Sequence, residues 1–204
     1  KRTNRSYVTD FSYSPDGKYL CFSESVGNTN QIFQTDVAQG FVCRQITSGS
    51  RDYSPVYTRN MKKMFFTRED NKGFSIWSYD FNNNFLSSYS TGMNPCLVNE
   101  SVLLCTRLNA ARKGEIWRID YNTGIEECIA TDRDVSFSSP VLSPDGLWIA
   151  FVGGACLTAE NIVYWNTDIY VCRTDGSDLR HLTHHAADDL CPADRKSTRL
   201  NSSH

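Results

Sequence analysis

The chain has 204 residues with 21 Lys and Arg against 23 Asp and Glu, a formal net charge of −2, 40% hydrophobic and 22% charged residues. That is an ordinary globular composition with enough apolar material for a sizeable core. The near-neutral balance excludes a strongly basic nucleic-acid binder. The longest apolar stretch, Leu147 to Leu157, is interrupted by Gly153 and Gly154 and falls far short of the ~20 residues of a membrane helix.

From the N-terminus onward the chain repeats itself. Ser14-Pro15-Asp16-Gly17 returns as Ser143-Pro144-Asp145-Gly146. Each is followed by a short apolar run, Tyr19 to Phe22 and Trp148 to Phe151. Two weaker copies lie between them. Pro55 to Met61 precedes Met64 to Arg68, and Pro95 to Glu100 precedes Val102 to Arg107. A second element follows each copy: Gln31 to Asp36, Ser75 to Asp80, Glu115 to Asp120 and Asp168 to Arg173. A third, Arg44 to Thr47 and Arg180 to Thr183, closes the first and last units. Prolines 55, 95, 140 and 192 mark a period of about 40–50 residues, the length of one propeller blade.

The segments are short, alternate apolar with polar, and favour β-branched and aromatic residues, as half-buried strands require. In Ser-Pro-Asp-Gly the proline presets φ, the aspartate bonds its own backbone and the glycine takes the left-handed position. No stretch carries a sustained 3.6-residue period, so almost no helix is expected. The predicted fold class is all-β: a β-propeller fragment of about four four-stranded blades in an open arc. The blades are placed at 8–47, 52–90, 93–130 and 137–183, with the start of a further blade at 184–193. Uncovered apolar end faces would make such an arc prone to aggregate. The segment 194–204 resembles a translated sequencing adapter and is set aside as a non-native tail.

The succession of L-T, D-x-x-P, S-P-D-G, an apolar strand and I-Y-x-x-D resembles the TolB-like (WD-like, PD40-type) β-propeller family. The likeness runs from Asp10 to Ala193, with Asp189-Leu190-Cys191-Pro192 matching the D-x-x-P motif. The second and third units depart from it, having Arg59-Asn60-Met61 and Asn99-Glu100-Ser101 in place of Pro-Asp-Gly. The resemblance implies a non-catalytic platform that binds a protein or peptide, in the periplasm or cell envelope. Two alternatives share this propeller: the propeller domain of a prolyl-oligopeptidase-type serine peptidase, and an oligogalacturonate-lyase-like enzyme. Fold alone does not choose among them.

Eight cysteines are present. Cys21, Cys105 and Cys172 fall inside predicted strands, which favours buried free thiols over a disulfide framework. No C-x-x-C, P-loop, G-x-G-x-x-G or G-x-S-x-G occurs, so no catalytic residue, cofactor or metal is assigned. Binding residues are expected in the loops at the mouth of the central channel. The candidates are Arg51, Asp52, Arg68, Arg112, Arg133, Asp134, Tyr164, Trp165, His184, His185 and Asp189. Tyr164 and Trp165 are read as an aromatic anchor on a long loop, Gly153 to Asn166. Asp52 and Asp189 are read first as structural bonds to loop amides. His184 and His185 with Asp188 and Asp189 have metal-ligand chemistry, but a surface loop is the preferred reading.

Overall fold

The computed structural model describes residues 7–40, 42–159, 162–184, 187–190 and 192. Among these residues there is no helix; all regular structure is strand. The first sheet holds β1 (Val8–Tyr13), β2 (Tyr19–Val26), β3 (Thr29–Asp36) and β4 (Cys43–Gln45). The second holds β5 (Arg51–Tyr57), β6 (Lys63–Asp70), β7 (Gly73–Asp80) and β8 (Phe85–Thr91). The third holds β9 (Met93–Leu97), β10 (Val102–Leu108), β11 (Gly114–Asp120) and β12 (Ile125–Ala130). The fourth holds β13 (Val135–Leu142), β14 (Trp148–Ala159), β15 (Ile162–Arg173) and β16 (Arg180–His181). Within each sheet neighbouring strands pair antiparallel in chain order. One parallel bridge, Asn30 to Arg51, joins the first two sheets at their common corner.

The turns explain the hairpins. Ser14 Oγ donates to Asp16 Oδ1 at 2.7 Å and accepts the Tyr19 amide at 2.9 Å. Ser143 repeats this with Asp145 and Trp148 at 2.6 and 2.9 Å. The second sheet has no Pro-Asp-Gly, yet Thr58 Oγ1 donates to Asn60 Oδ1 and accepts the Lys63 amide. Met61 there takes the left-handed conformation at φ 58°, matching Gly17 at 72° and Gly146 at 73°. In the third sheet Asn99 Oδ1 alone gathers the amides of Ser101 and Val102. The same corner is thus built from three different side-chain sets.

Alternation then packs the sheets face to face. Met64 and Phe66 point toward the first sheet and join Cys21, Ile32 and Ile46. Phe65, between them, points the other way and joins Leu103, Cys105 and Ile119 of the third. Leu104, in turn, faces the fourth sheet with Phe137, Ile149, Phe151 and Cys172. This is the period of two that a strand imposes. Each fully buried aromatic or aliphatic chain contributes about 1.5–3 kcal/mol, and only a neighbouring sheet supplies that burial. Thr47 and Thr183 finish the first and fourth sheets by accepting the amides of Ile32 and Ile169 at 3.0 and 2.9 Å.

The inner strands β1, β5, β9 and β13 pack in succession, and the arc stays open. Its two end faces are apolar. On the first sheet Val8, Phe11 and Tyr13 are exposed. On the fourth, a groove of about 380 Å3 is lined by Val141, Leu142, Trp148, Ile169, Val171 and Leu182, with Pro192 against it.

All seven cysteines among the described residues are free thiols; Cys191 lies outside them. Burial pushes Cys21 and Cys105 up to about 12 and Cys172 to about 11. These thiols stay protonated at pH 8 and have no route to a reagent. We expect iodoacetamide at pH 8 to label exposed Cys43 and Cys156 in the native protein. Cys21, Cys105 and Cys172 are expected to react only after denaturation. Peptide mass spectrometry reads the outcome, and rapid native labelling of the buried three would contradict this packing.

Candidate functional site

The inner strands carry a repeated irregularity. Ser54, Asn94 and Ser139 each precede a proline and each is left-handed, at φ 50°, 53° and 54°. The pairing register shifts at each of these positions, as it does in a β-bulge. The freed amides are caught across the seams: Asn94 by Thr67 Oγ1 at 2.9 Å and Ser139 by Thr106 Oγ1 at 3.1 Å. The bulges bring Ser54, Asn94 and Ser139 to a shared channel of about 550 Å3, lined also by Asp10, Ser12 and Cys96. Asn94 Nδ2 donates to Ser54 Oγ at 3.3 Å.

On the face where the 2-to-3 hairpins and the sheet-to-sheet connections meet, each seam is closed differently. At the first, Arg68 forms a bidentate pair with Asp52, Nε to Oδ1 at 2.7 Å and Nη2 to Oδ2 at 2.9 Å. Asp52 is 0% exposed. The Arg68 guanidinium also lies over Trp77, 4.4 Å from the ring centroid. Arg51 Nη1 stands 3.5 Å from Glu69. Asp52 therefore binds a guanidinium rather than loop amides. It is sealed from any partner.

At the second seam the position of Asp52 is taken by Gly92, because Met93 pairs with Thr106 as Tyr53 pairs with Thr67. Arg107, the counterpart of Arg68, lies over Trp117 at 4.7 Å and turns outward to Glu126 at 2.7 Å. It also donates to Ser90 Oγ and to the Thr91 carbonyl. The Arg107 hydrogen bond holds the Glu126 carboxyl below its ordinary value, against the opposing effect of burial. Arg112 sits in the β10–β11 hairpin, exposed and left-handed at φ 60°.

At the third seam the same two positions hold Phe137 and Gly153, paired with one another. Gly153 makes room for Tyr170: a Cβ there would stand 2.4 Å from the ring. Gly154 does the same for Trp165, at 2.8 Å. The two glycines that break the apolar run thus seat two aromatic rings. The segment from Gly153 to Asn166, expected as a long loop, is instead the arms of an extended hairpin, paired from Trp148–Arg173 to Ala159–Ile162. Its strands run 12 residues where β6 and β7 have 8. The extra pairing satisfies backbone groups that a loop would leave to water. Trp165 projects from it, 59% exposed. Tyr164 contributes its backbone to β15 opposite Leu157.

The remaining candidates are dispersed. The Arg133 carbonyl accepts from Lys113 Nζ. The Asp134 amide donates to Asp132 Oδ1 at 2.7 Å. His184 packs edge-on against His181, 4.0 Å between centroids, and His185 lies outside the described residues. Asp188 Oδ1 accepts the Thr167 amide and hydroxyl, and the Asp189 amide donates to the Thr167 carbonyl at 2.7 Å. Among the described residues no three His, Cys, Asp or Glu side chains gather as a metal site.

A pair that sequence reasoning passed over is His181 Nε2 with Asp168 Oδ2 at 2.9 Å. Asp168 is 8% exposed, and its Oδ1 has no hydrogen-bond partner among the described residues. The first sheet explains the pair. Gln45 donates to Gln31 at 2.6 Å, and Gln31 and Gln45 hold there the positions that Asp168 and His181 hold in the fourth sheet. The pair is a cross-strand clasp that the repeat uses twice. His181 stacks flat on Tyr170 at 4.3 Å. Burial pushes the Tyr170 phenol up, with the Asp168 and Asp132 charges adding to it.

Bulged inner strands around a channel, with four-stranded sheets fanned about them, decide the architecture. The fold is a β-propeller of the TolB-like type. A putative TolB from Agrobacterium tumefaciens superposes with a TM-score of 0.72 at 18% identity, over 85% of this chain and 64% of that one. TolB from Acinetobacter baumannii gives 0.72 at 18% identity, over 90% and 45%. Oligogalacturonate lyase from Vibrio parahaemolyticus gives 0.61 at 15% identity, over 89% and 54%. The chain therefore spans less than two thirds of the length of either TolB protein. No protein-family model matches the chain, and no curated protein sequence matches it.

Proposed function

We propose that this propeller is a non-catalytic platform that docks a protein or peptide on its channel-mouth face. The observation that carries the reading is Trp165, held on an extended hairpin with its ring against Gly154 and most of its surface open to solvent. A rigid aromatic loses little conformational entropy when covered and is the residue type that most often anchors a protein interface. The neighbouring seams add unlike charges that steer and orient an incoming chain.

The test is a selection of random peptides displayed on phage against the immobilised protein, followed by affinity measurement on synthetic copies. Trp165→Ala is expected to weaken the selected peptides about thirtyfold, as losing an anchor worth about 2 kcal/mol would. It should leave the melting temperature nearly unchanged, because the ring is exposed. Lys18→Gln, on the opposite face, is the control. Selected peptides indifferent to Trp165, or sensitive to Lys18, would overturn the reading.

A further inference from the structure

The second seam, between the second and third sheets, holds a groove of about 340 Å3 lined by Lys72, Phe74, Met93, Arg107, Leu108 and Arg112. Three of its walls are cationic and none is acidic. The first seam is its repeat-related counterpart, and there two cations, Arg51 and Arg68, are matched by two acids, Glu69 and Asp70. Beside Arg68 the first groove has Glu69 and Asp70, whereas beside Arg107 the second has Leu108. The inner strand, which gives Arg68 the Asp52 carboxylate, has Gly92 at that position beside Arg107, and Arg107 takes its carboxylate from Glu126 instead. No side chain fits at Gly92. Its φ is 139°, and a Cβ would meet Cys105 Sγ at 2.9 Å and the Thr106 carbonyl at 3.1 Å. Arg107 spends its donors on Glu126, Ser90 and Thr91. Lys72 and Arg112 are exposed, and their side chains have no partner among the described residues. Arg112 is itself left-handed, a conformation that costs a non-glycine residue energy.

We propose that this groove binds a carboxylate side chain of a peptide, with an adjacent apolar residue on Phe74, Met93 and Leu108. The ligand's carboxylate supplies the negative charge that Glu69 and Asp70 supply in the first groove. Lys72 and Arg112 are its cations, and the apolar residues give the groove a floor that discriminates against a bare inorganic anion. This rests on the platform reading and adds to it the chemistry of the partner: an acidic residue next to an apolar one.

The probe is a fluorescein-labelled synthetic peptide, Gly-Leu-Asp-Leu-Glu-Gly amide, with its Asn/Gln counterpart, read by fluorescence anisotropy. The acidic peptide is expected to bind at least about tenfold tighter than the amide version. Lys72→Gln and Arg112→Gln are each expected to weaken it about fivefold, as loss of one exposed charge pair would, and raising the salt should weaken it further. Lys18→Gln should change nothing, and unchanged melting temperatures establish that the variants are folded. Equal binding of the two peptides, or indifference to both groove variants, would overturn the proposal. So would tight binding of trigalacturonate with no binding of the acidic peptide. Because the Trp165 experiment uses unbiased peptides, it can succeed while this one fails, so the two readings fall separately.

Discussion

Replacing Arg68 by alanine is expected to lower the unfolding free energy by about 3–5 kcal/mol, the effect of stripping one partner from a buried ion pair. Asp52 is sealed under the guanidinium with both carboxylate oxygens engaged at 2.7 and 2.9 Å. Removing Arg68 leaves that charge in the protein interior and also uncovers Trp77. Asp52→Ala is expected to cost nearly as much. The double variant should cost clearly less than the two singles together, because the orphaned charge is gone. Urea denaturation of the four proteins in the cycle measures this. A double variant whose loss equals the sum would show that the two side chains act independently, against the geometry described above.

The second large effect is expected at Gly114. It opens β11 where the third sheet meets the fourth, and its amide donates to Ser136 Oγ at 2.8 Å. A Cβ added there would stand 2.0 Å from the Phe137 carbonyl oxygen. That oxygen belongs to backbone and cannot swing aside, so Gly114→Ala must separate the sheets. The cost should be about 3 kcal/mol, the upper end for overpacking. Hydrogen exchange should localise it to β13, with the first two sheets little affected. Gly124→Ala is the comparison: its φ is 75° but the space around it is open, so only about 1 kcal/mol of backbone strain is expected. Equal losses at the two positions would sink the steric argument.

These sites also mark how far sequence reasoning reached. The strands, the corners and the free core thiols were legible because each depends on local chemistry. Ser14 and Asp16 sit two residues apart, and alternation in Met64, Phe65 and Phe66 sends neighbours to opposite faces. Thr58 with Asn60 shows where local reading stopped, since a different pair of residues made the same corner. The pairing of Asp52 with Arg68 was not legible, although both were singled out as loop residues. Their meeting depends on antiparallel register across β5 and β6, bulge included. The same holds for Asp168 and His181, which are 13 residues apart and become neighbours only through β15 and β16. The extended hairpin was missed for a different reason: Gly153 and Gly154 look like loop formers until the rings of Tyr170 and Trp165 are seen lying on them.

One position on the inner strand, with its partner across the hairpin, reads Val8–Glu24, Asp52–Arg68, Gly92–Arg107 and Phe137–Gly153 along the chain. The four modules share an outline but not a joint, so they resemble keyed masonry more than identical bricks. A gene shuffled to exchange the second and fourth units would carry each of these pairs along intact, because both members lie in one sheet. Order along the polypeptide is constrained instead where units touch, as where Gly114 of the third leaves room for the Phe137 carbonyl of the fourth.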